Sequence, residues 1–142
     1  MHIRSYQESD EDAVVALWQT CGLTRPWNDP HKDIARKLTV QRELFLVGER
    51  DGQVVATVMA GFEGHRGWLN YLAVSPAWRG QGHATALMKV VEARFLEMGC
   101  PKVNLQVRST NTAALDFYRK LGYEPDAAVS LGKRLIPDGP PA

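Results

Sequence analysis

The residues best suited to chemistry are Arg79, Gly80, Gln81, Gly82, His83 and Ala84, set between an extended apolar run and an apolar stripe of helical spacing. Two glycines and a small alanine let successive main-chain N–H groups approach an anion closely. Those groups stand where a helix should begin, and a helix N-terminus favours negative charge, so the segment reads as a phosphate cradle. A plain tight turn from strand to helix, with Arg79 solvated, suits the same residues, and an isolated Gly-x-Gly does not choose between the two. Two nucleotide-binding patterns fit poorly. The chain lacks the Gly-Lys-Ser/Thr of a Walker A loop. A dinucleotide fingerprint would put a third Gly or Ala where Thr85 stands and an acid about 20 residues on, where Lys102 stands.

The elements that must position this turn are legible from periodicity. Residues 68–75, WLNYLAVS, predict a strand, and Leu87, Val90, Val91, Phe95 and Met98 predict a helix that ends at Gly99. Residues 102–108 alternate Val103, Leu105 and Val107 with polar residues, and a right-handed crossover lays that strand parallel to the one before. The turn therefore belongs to a βαβ unit. Upstream, residues 2–5 predict a short strand, and Ser9 with the acids that follow caps a helix whose apolar face is Val14, Leu17, Trp18 and Cys21. Residues 23–30 form a loop, after which Asp29 and Pro30 open a second helix with Ile34 and Leu38 inward. The runs 44–50 and 53–63 form a hairpin about Asp51-Gly52, two residues that tolerate positive φ. Asn111 begins a helix carrying Ala114, Leu115, Phe117, Tyr118 and Leu121, and residues 123–136 are expected to add a final strand pair. The sum is an α+β fold with a mixed, largely antiparallel sheet of about seven strands and about four helices.

With 142 residues, the chain suits one domain over residues 1–136, and the tail 137–142, PDGPPA, is expected to fray. Apolar residues at 44% and charged residues at 23% set aside disordered, collagenous and mucin-like classes. Seventeen Lys plus Arg against sixteen Asp plus Glu leave a net charge of +1, too balanced for nucleic acid to be the expected partner. Cys21 and Cys100 lack CxxC spacing, and His2, His31 and His83 lack metal-ligand spacing, so no metal is expected and a reduced, cytoplasmic setting fits. No uncharged apolar run approaches the roughly 18 residues of a membrane helix, and the charged start does not read as a signal peptide.

The turn meets the pattern Arg/Gln-x-x-Gly-x-Gly/Ala through Arg79, Gly82 and Ala84, within a stretch running from Leu72-Ala73-Val74-Ser75-Pro76 to Leu87. A second signature, Asn-x-x-Ala-x-x-x-Tyr followed by Gly-aromatic, is met by Asn111, Ala114, Tyr118, Gly122 and Tyr123. On these two motifs, in this order, nearly the whole chain resembles the Gcn5-related N-acetyltransferase (GNAT) superfamily. RPWNDP and SLGKRL are similar to its small bacterial YpeA-like subgroup, and the chain is more distantly similar to ribosomal-protein N-terminal acetyltransferases.

The resemblance implies a GNAT fold with a splayed parallel strand pair and acetyl-CoA as co-substrate. Main-chain amides of Arg79, Gly80, Gln81, Gly82, His83 and Ala84 would bind the pyrophosphate. The edge at Leu72, Ala73 and Val74 would pair with the pantetheine as an added strand, and the Leu72 N–H would steady an oxyanion. Tyr118 would hydrogen-bond or protonate the departing thiolate, and Asn111 would reach the cofactor while also suiting a helix cap. The implied activity is direct transfer of an acetyl group to a primary amine, on a small molecule or on a peptide or protein, in a ternary complex.

Ribosomal-protein-type relatives resemble Leu-Glu-Val-Arg at the strand after the long helix, whereas this chain has Leu105-Gln106-Val107-Arg108, and Gln106 cannot take a proton. The base is therefore elsewhere, is a water chain, or is unnecessary for an acceptor of low pKa. Glu63, His65 and Asp29 are candidates for base or amine anchor. Trp27, Phe62, Trp68 and Tyr71 are candidates to wall the acceptor site, and Arg25 and Arg66 to read an acceptor carboxylate. Loss of the Glu also keeps open a noncatalytic acyl-CoA sensor or interaction module, while Tyr118 argues for catalysis. An exposed strand edge permits a homodimer.

Overall fold

Asp51 and Gly52 take φ values of 52° and 76°, the left-handed pair that matches the twist of two flanking strands, and the chain reverses there as expected. In the computed structural model, which describes residues 1–139, that turn joins β2 (Phe45–Arg50) to β3 (Gln53–Phe62). β1 (His2–Ser5), β4 (Gly67–Val74) and β5 (Val103–Asn104) complete one sheet, ordered β1-β2-β3-β4-β5. The first four strands are antiparallel neighbours, and β5 joins β4 in parallel after the crossover through a helix. α1 (Glu11–Thr20), α2 (Pro30–Lys37), α3 (His83–Glu97) and α4 (Thr112–Lys120) are the helices the periodicity predicted.

β2 and the middle of β3 are buried on both faces, which is why they read as continuous apolar runs rather than as alternation. On one face Leu46, Ala56, Val58 and Leu69 pack against Leu87, Met88, Val91 and Phe95 of α3. On the other, Phe45, Val47 and Met59 pack against Val14, Leu17 and Trp18 of α1 and Ile34 of α2. Tyr6 stacks on Phe45 with ring centroids 4.4 Å apart.

Several expectations are corrected. Among the described residues the sheet has five strands rather than about seven. Residues 123–136 form no strand. Pro125 and Gly132 interrupt the stretch, and Val129, Leu131, Leu135 and Ile136 are 86%, 91%, 83% and 69% exposed, so no apolar layer covers them. Side-chain bonds tie this arm to β5 instead, Lys102 and Asn104 to Asp126 at 2.9 and 2.6 Å. The alternation predicted a strand over 102–108, but pairing stops at Trp68 with Asn104, because β4 and β5 part beyond that point. Asp10 rather than Ser9 caps the first helical turn, accepting from the Gln7 N–H at 2.8 Å while Arg4 grips its carboxylate. The tail expected to fray is anchored at Asp138, which is only 5% exposed; residues 140–142 lie outside the described residues.

Gly67 opens β4 directly under α3. A Cβ there would lie 2.9 Å from Phe95 Cε2 and 3.0 Å from Cys100 Sγ, in buried surroundings that cannot yield cheaply. Gly67→Val should therefore lower the unfolding free energy by about 1–3 kcal/mol, read as a reduced denaturant midpoint at unchanged slope.

Candidate functional site

The turn between β4 and α3 has the conformation its glycines predicted. Gly80 and Gly82 have φ of 76° and 80°, and a Cβ at either would meet nothing within 4 Å, so the turn faces open space. Gly82 stands at the N-cap without a side-chain cap, and no acid occupies the first turn of α3. Among the described residues the main-chain N–H groups from Gly80 to Thr85 donate to no protein acceptor. Six unmatched donors at a helix N-terminus suit an anion. The Arg79 side chain turns away, its Nε donating to the Val74 carbonyl at 3.1 Å. His83 sends its ring inward, 8% exposed and tilted against Trp78, with Nε2 unpartnered.

Upstream of the turn, β4 carries a bulge. Thr57 pairs with Ala73 and Met59 with Asn70, so Val58 alone opposes both Tyr71 and Leu72. Tyr71 takes φ of 55°, a left-handed conformation that costs an aromatic residue about 1–3 kcal/mol. Its surroundings hold it there. The Trp18 indole N–H donates to Thr57 Oγ1 at 2.9 Å, and that hydroxyl donates to the Tyr71 carbonyl at 2.8 Å. The Tyr71 ring stacks on Trp18 with centroids 3.8 Å apart, and its hydroxyl donates to Asp33 Oδ2 at 2.6 Å. Burial and the Asp33 carboxylate both push the Tyr71 phenol above its ordinary range.

The parting of β4 from β5 opens a seam through the sheet. A cavity of about 1300 Å³ lies on the α3 and α4 side and one of about 770 Å³ on the α1 and α2 side, and Asn70, Gln106 and Tyr118 line both. Tyr118 is half-buried, edge-on to Phe117 and Tyr123, and burial raises its phenol to about 12. Leu72, Tyr71, Asn111 and Trp27 line the smaller cavity with it; Ala73 is buried in the core beneath. Asn111 is the N-cap of α4, its Oδ1 accepting from the Ala114 N–H at 3.1 Å.

The acid and base candidates fall apart in space. Asp29 caps α2, accepting from the His31 N–H at 2.9 Å. Glu63 accepts from the main-chain N–H groups of His65 and Arg66, which lower its pKa, and Glu63, His65 and Arg66 are absent from both cavity linings. Gln106 is exposed and bonded to Ser130. The carboxylate that does line the smaller cavity is Asp33, joined by Arg36 and Lys37. Sequence reading missed it, although Asp33, Arg36 and Lys37 recur at i, i+3 and i+4 beside the apolar Ile34 and Leu38. It also missed the C-terminal anchor. Asp138 accepts from Arg36 and from the Asp29 N–H at 2.9 Å, Lys32 donates to its carbonyl at 2.8 Å, and Arg134 bonds Asn28. The Arg36 guanidinium and the Asp29 N–H hold the Asp138 carboxyl down to about 2.

Thr57→Val keeps the shape of the strand but strips the hydroxyl that joins Trp18 to Tyr71. Two buried polar groups then lack partners, so the variant should lose about 2–4 kcal/mol of stability in denaturant titrations. Relaxation of the bulge should appear as changed amide chemical shifts from Tyr71 to Val74.

Comparison with known proteins agrees with this geometry. Residues 6–123 match the model of the Acetyltransferase (GNAT) family. Acetyltransferase YE1169 of Yersinia enterocolitica is 50% identical over 138 residues, spanning 97% of this chain and 98% of that protein. The crystal structure of Ard1 from Thermoplasma volcanium superposes with a TM-score of 0.78 at 27% identity, covering 89% of this chain and 84% of that one. A structure of AAC(6')-Iy in complex with the bisubstrate analogue CoA-S-monomethyl-acetylneamine has the same fold, with a TM-score of 0.77 at 17% identity over 95% of this chain and 98% of that one. Because the matched region contains the amide-lined turn, the bulged strand and the helix of Tyr118, and the likeness to YE1169 runs end to end, the chain belongs to the acetyltransferase (GNAT) family.

Proposed function

We propose that this acetyltransferase moves an acetyl group from acetyl-CoA to a primary amine by direct attack in a ternary complex. The observation that carries the reading is the seam between β4 and β5, open to both faces of the sheet and lined at its middle by Tyr118. Two reactants can meet there without passing through the enzyme covalently. Cys100 is buried, and Cys21, which lines the smaller cavity, has its thiol held to the Val74 carbonyl at 3.4 Å. The bisubstrate analogue held by AAC(6')-Iy, CoA-S-monomethyl-acetylneamine, joins coenzyme A to an acetylated amine, which supports the same pairing of substrates on this fold.

Bound acetyl-CoA supplies a thioester carbonyl and a thiol leaving group. The N–H groups of Gly80 through Ala84 are the donors for its diphosphate, and the edge of β4 at Leu72, Ala73 and Val74 offers main-chain partners to the pantetheine amides. The Leu72 N–H follows the bulge and is the donor for the carbonyl oxygen as that oxygen gains negative charge. The amine nitrogen gains a bond to the acetyl carbon as the carbon–sulfur bond breaks, and one amine proton leaves to water. Tyr118, its phenol raised to about 12, keeps its proton at neutral pH and donates a hydrogen bond to the departing sulfur. Full transfer to a thiolate of pKa ~8.5 would run uphill by about 5 kcal/mol, so hydrogen bonding is the stronger role.

The test begins with calorimetric titration of coenzyme A. Binding should be lost or weakened at least tenfold in Gly82→Arg, whose side chain enters the open turn at a φ unfavourable to it. Tyr118→Phe should slow acetylation of a responsive amine about 10–100-fold with little change in coenzyme A affinity. Because the Tyr118 phenol is raised, its ionisation should not depress the rate between pH 8 and 10, where an ordinary phenol starts to lose its proton. Gln106 favours one rival, a noncatalytic acyl-CoA sensor. Coenzyme A binding without acetylation of any amine in a broad panel would decide for it.

A further inference from the structure

The smaller cavity at the seam has a strongly one-sided charge. Four cationic side chains, Arg25, Arg36, Lys37 and Arg108, line it against one carboxylate, Asp33. Asp33 is already committed, receiving the Tyr71 hydroxyl at 2.6 Å and Arg36 at 3.2 Å. Arg36 is likewise spent on Asp33 and Asp138. Arg25 and Lys37 are different. Arg25 donates only to the Gly22 and Thr24 carbonyls, at 2.7 and 3.0 Å, and Lys37 only to the Ala60 carbonyl; neither forms a salt bridge among the described residues, and the Glu43 carboxylate acts on Lys37 only through space, with less effect than burial. Lys37 is half-buried, and the loss of water around its ammonium lowers its pKa, a cost that a bound anion would offset. Arg108 makes no side-chain hydrogen bond among the described residues, and it lines both cavities, at the seam itself.

Resting on the acetyltransferase reading, we infer that the acceptor is a primary amine bearing a carboxylate or similar anionic group, which Arg25 and Lys37 receive while the amine faces the seam. A polycationic acceptor would be repelled by the same lining. The positive surroundings also favour the neutral form of the acceptor amine, which eases the absence of a carboxylate base at Gln106. Two sources share this chemistry, free amino acids and acidic peptide N-termini.

Matched acceptors separate the possibilities. γ-Aminobutyrate, γ-aminobutyramide and putrescine present an amine with a negative, neutral or positive far end; tripeptides beginning Glu-Ala, Met-Ala and Lys-Ala, amidated at the C-terminus, do the same for a peptide α-amine. The inference expects kcat/KM to favour the acidic member at least tenfold in one of the two sets, the set identifying the source. It expects that preference to collapse to within about twofold in Arg25→Gln and Lys37→Met, with the Kd for acetyl-CoA unchanged. Equal or greater use of the neutral or cationic members in both sets would overturn it. So would weakened acetyl-CoA binding in both variants, since the cations would then serve the cofactor. Should no amine be acetylated, the catalytic reading fails separately. Calorimetric binding of the same amines to the coenzyme A complex then decides the charge preference, with tighter binding of putrescine than of γ-aminobutyrate refuting it.

Discussion

The site rests on one unfavourable backbone conformation that the core does not allow to relax. Tyr71 is left-handed in the middle of a strand, where an extended residue would have paired normally with β3. The cost is met by neighbours that are themselves fixed: Trp18 and Thr57 are fully buried, and the hydrogen-bonded path from the indole through the hydroxyl to the Tyr71 carbonyl crosses from helix to strand to strand. With the bulge set, β4 no longer runs alongside β5 beyond Trp68. The seam, the edge of β4 left unpaired by β5 and the meeting of two cavities at Tyr118 all accompany that divergence.

This arrangement divides labour between the faces of the sheet. The α3 side supplies a tightly packed apolar layer and, at its N-terminus, a row of unmatched amides. The α1 and α2 side supplies the aromatic stack under Tyr71 and most of the ionic side chains of the smaller cavity. On the proposed reading, anion binding by main-chain donors requires rigid geometry, and the long helix packed on the sheet along one face supports it. The proposed selection among acceptors by charged side chains would tolerate looser elements, and the eight-residue α2 with its preceding loop is such an element.

Much of this was legible in the chain. Glycine placement announced the hairpin and the amide-lined turn, and helical spacing announced all four helices, since both depend on local geometry. The lone Thr57 within an apolar strand, and a Trp on an apolar helix face, were local signs of a buried polar link that went unread. The strand pair expected over 123–136 failed because alternation specifies a strand only if some layer covers its apolar side, and Val129, Leu131 and Leu135 have none among the described residues. Asp33 escaped because its role depends on where α2 sits over β4, a contact between residues 38 apart. Asp29 and Glu63 attracted notice as acids in loops, yet both carboxylates bond nearby main-chain N–H groups, a pairing that loop sequence alone does not distinguish from an open charge.

The Asp138 clamp joins positions 109 residues apart, since its carboxylate takes the Asp29 N–H. In chain order, every strand of the sheet, both helical layers and the amide-lined turn precede this residue. The loop beside α2 therefore acquires this hold only after all of those elements have been synthesised. An early helix, α2, thus waits for a late residue to fix its approach loop, whereas the amide-lined turn depends on neighbours made close to it in the chain.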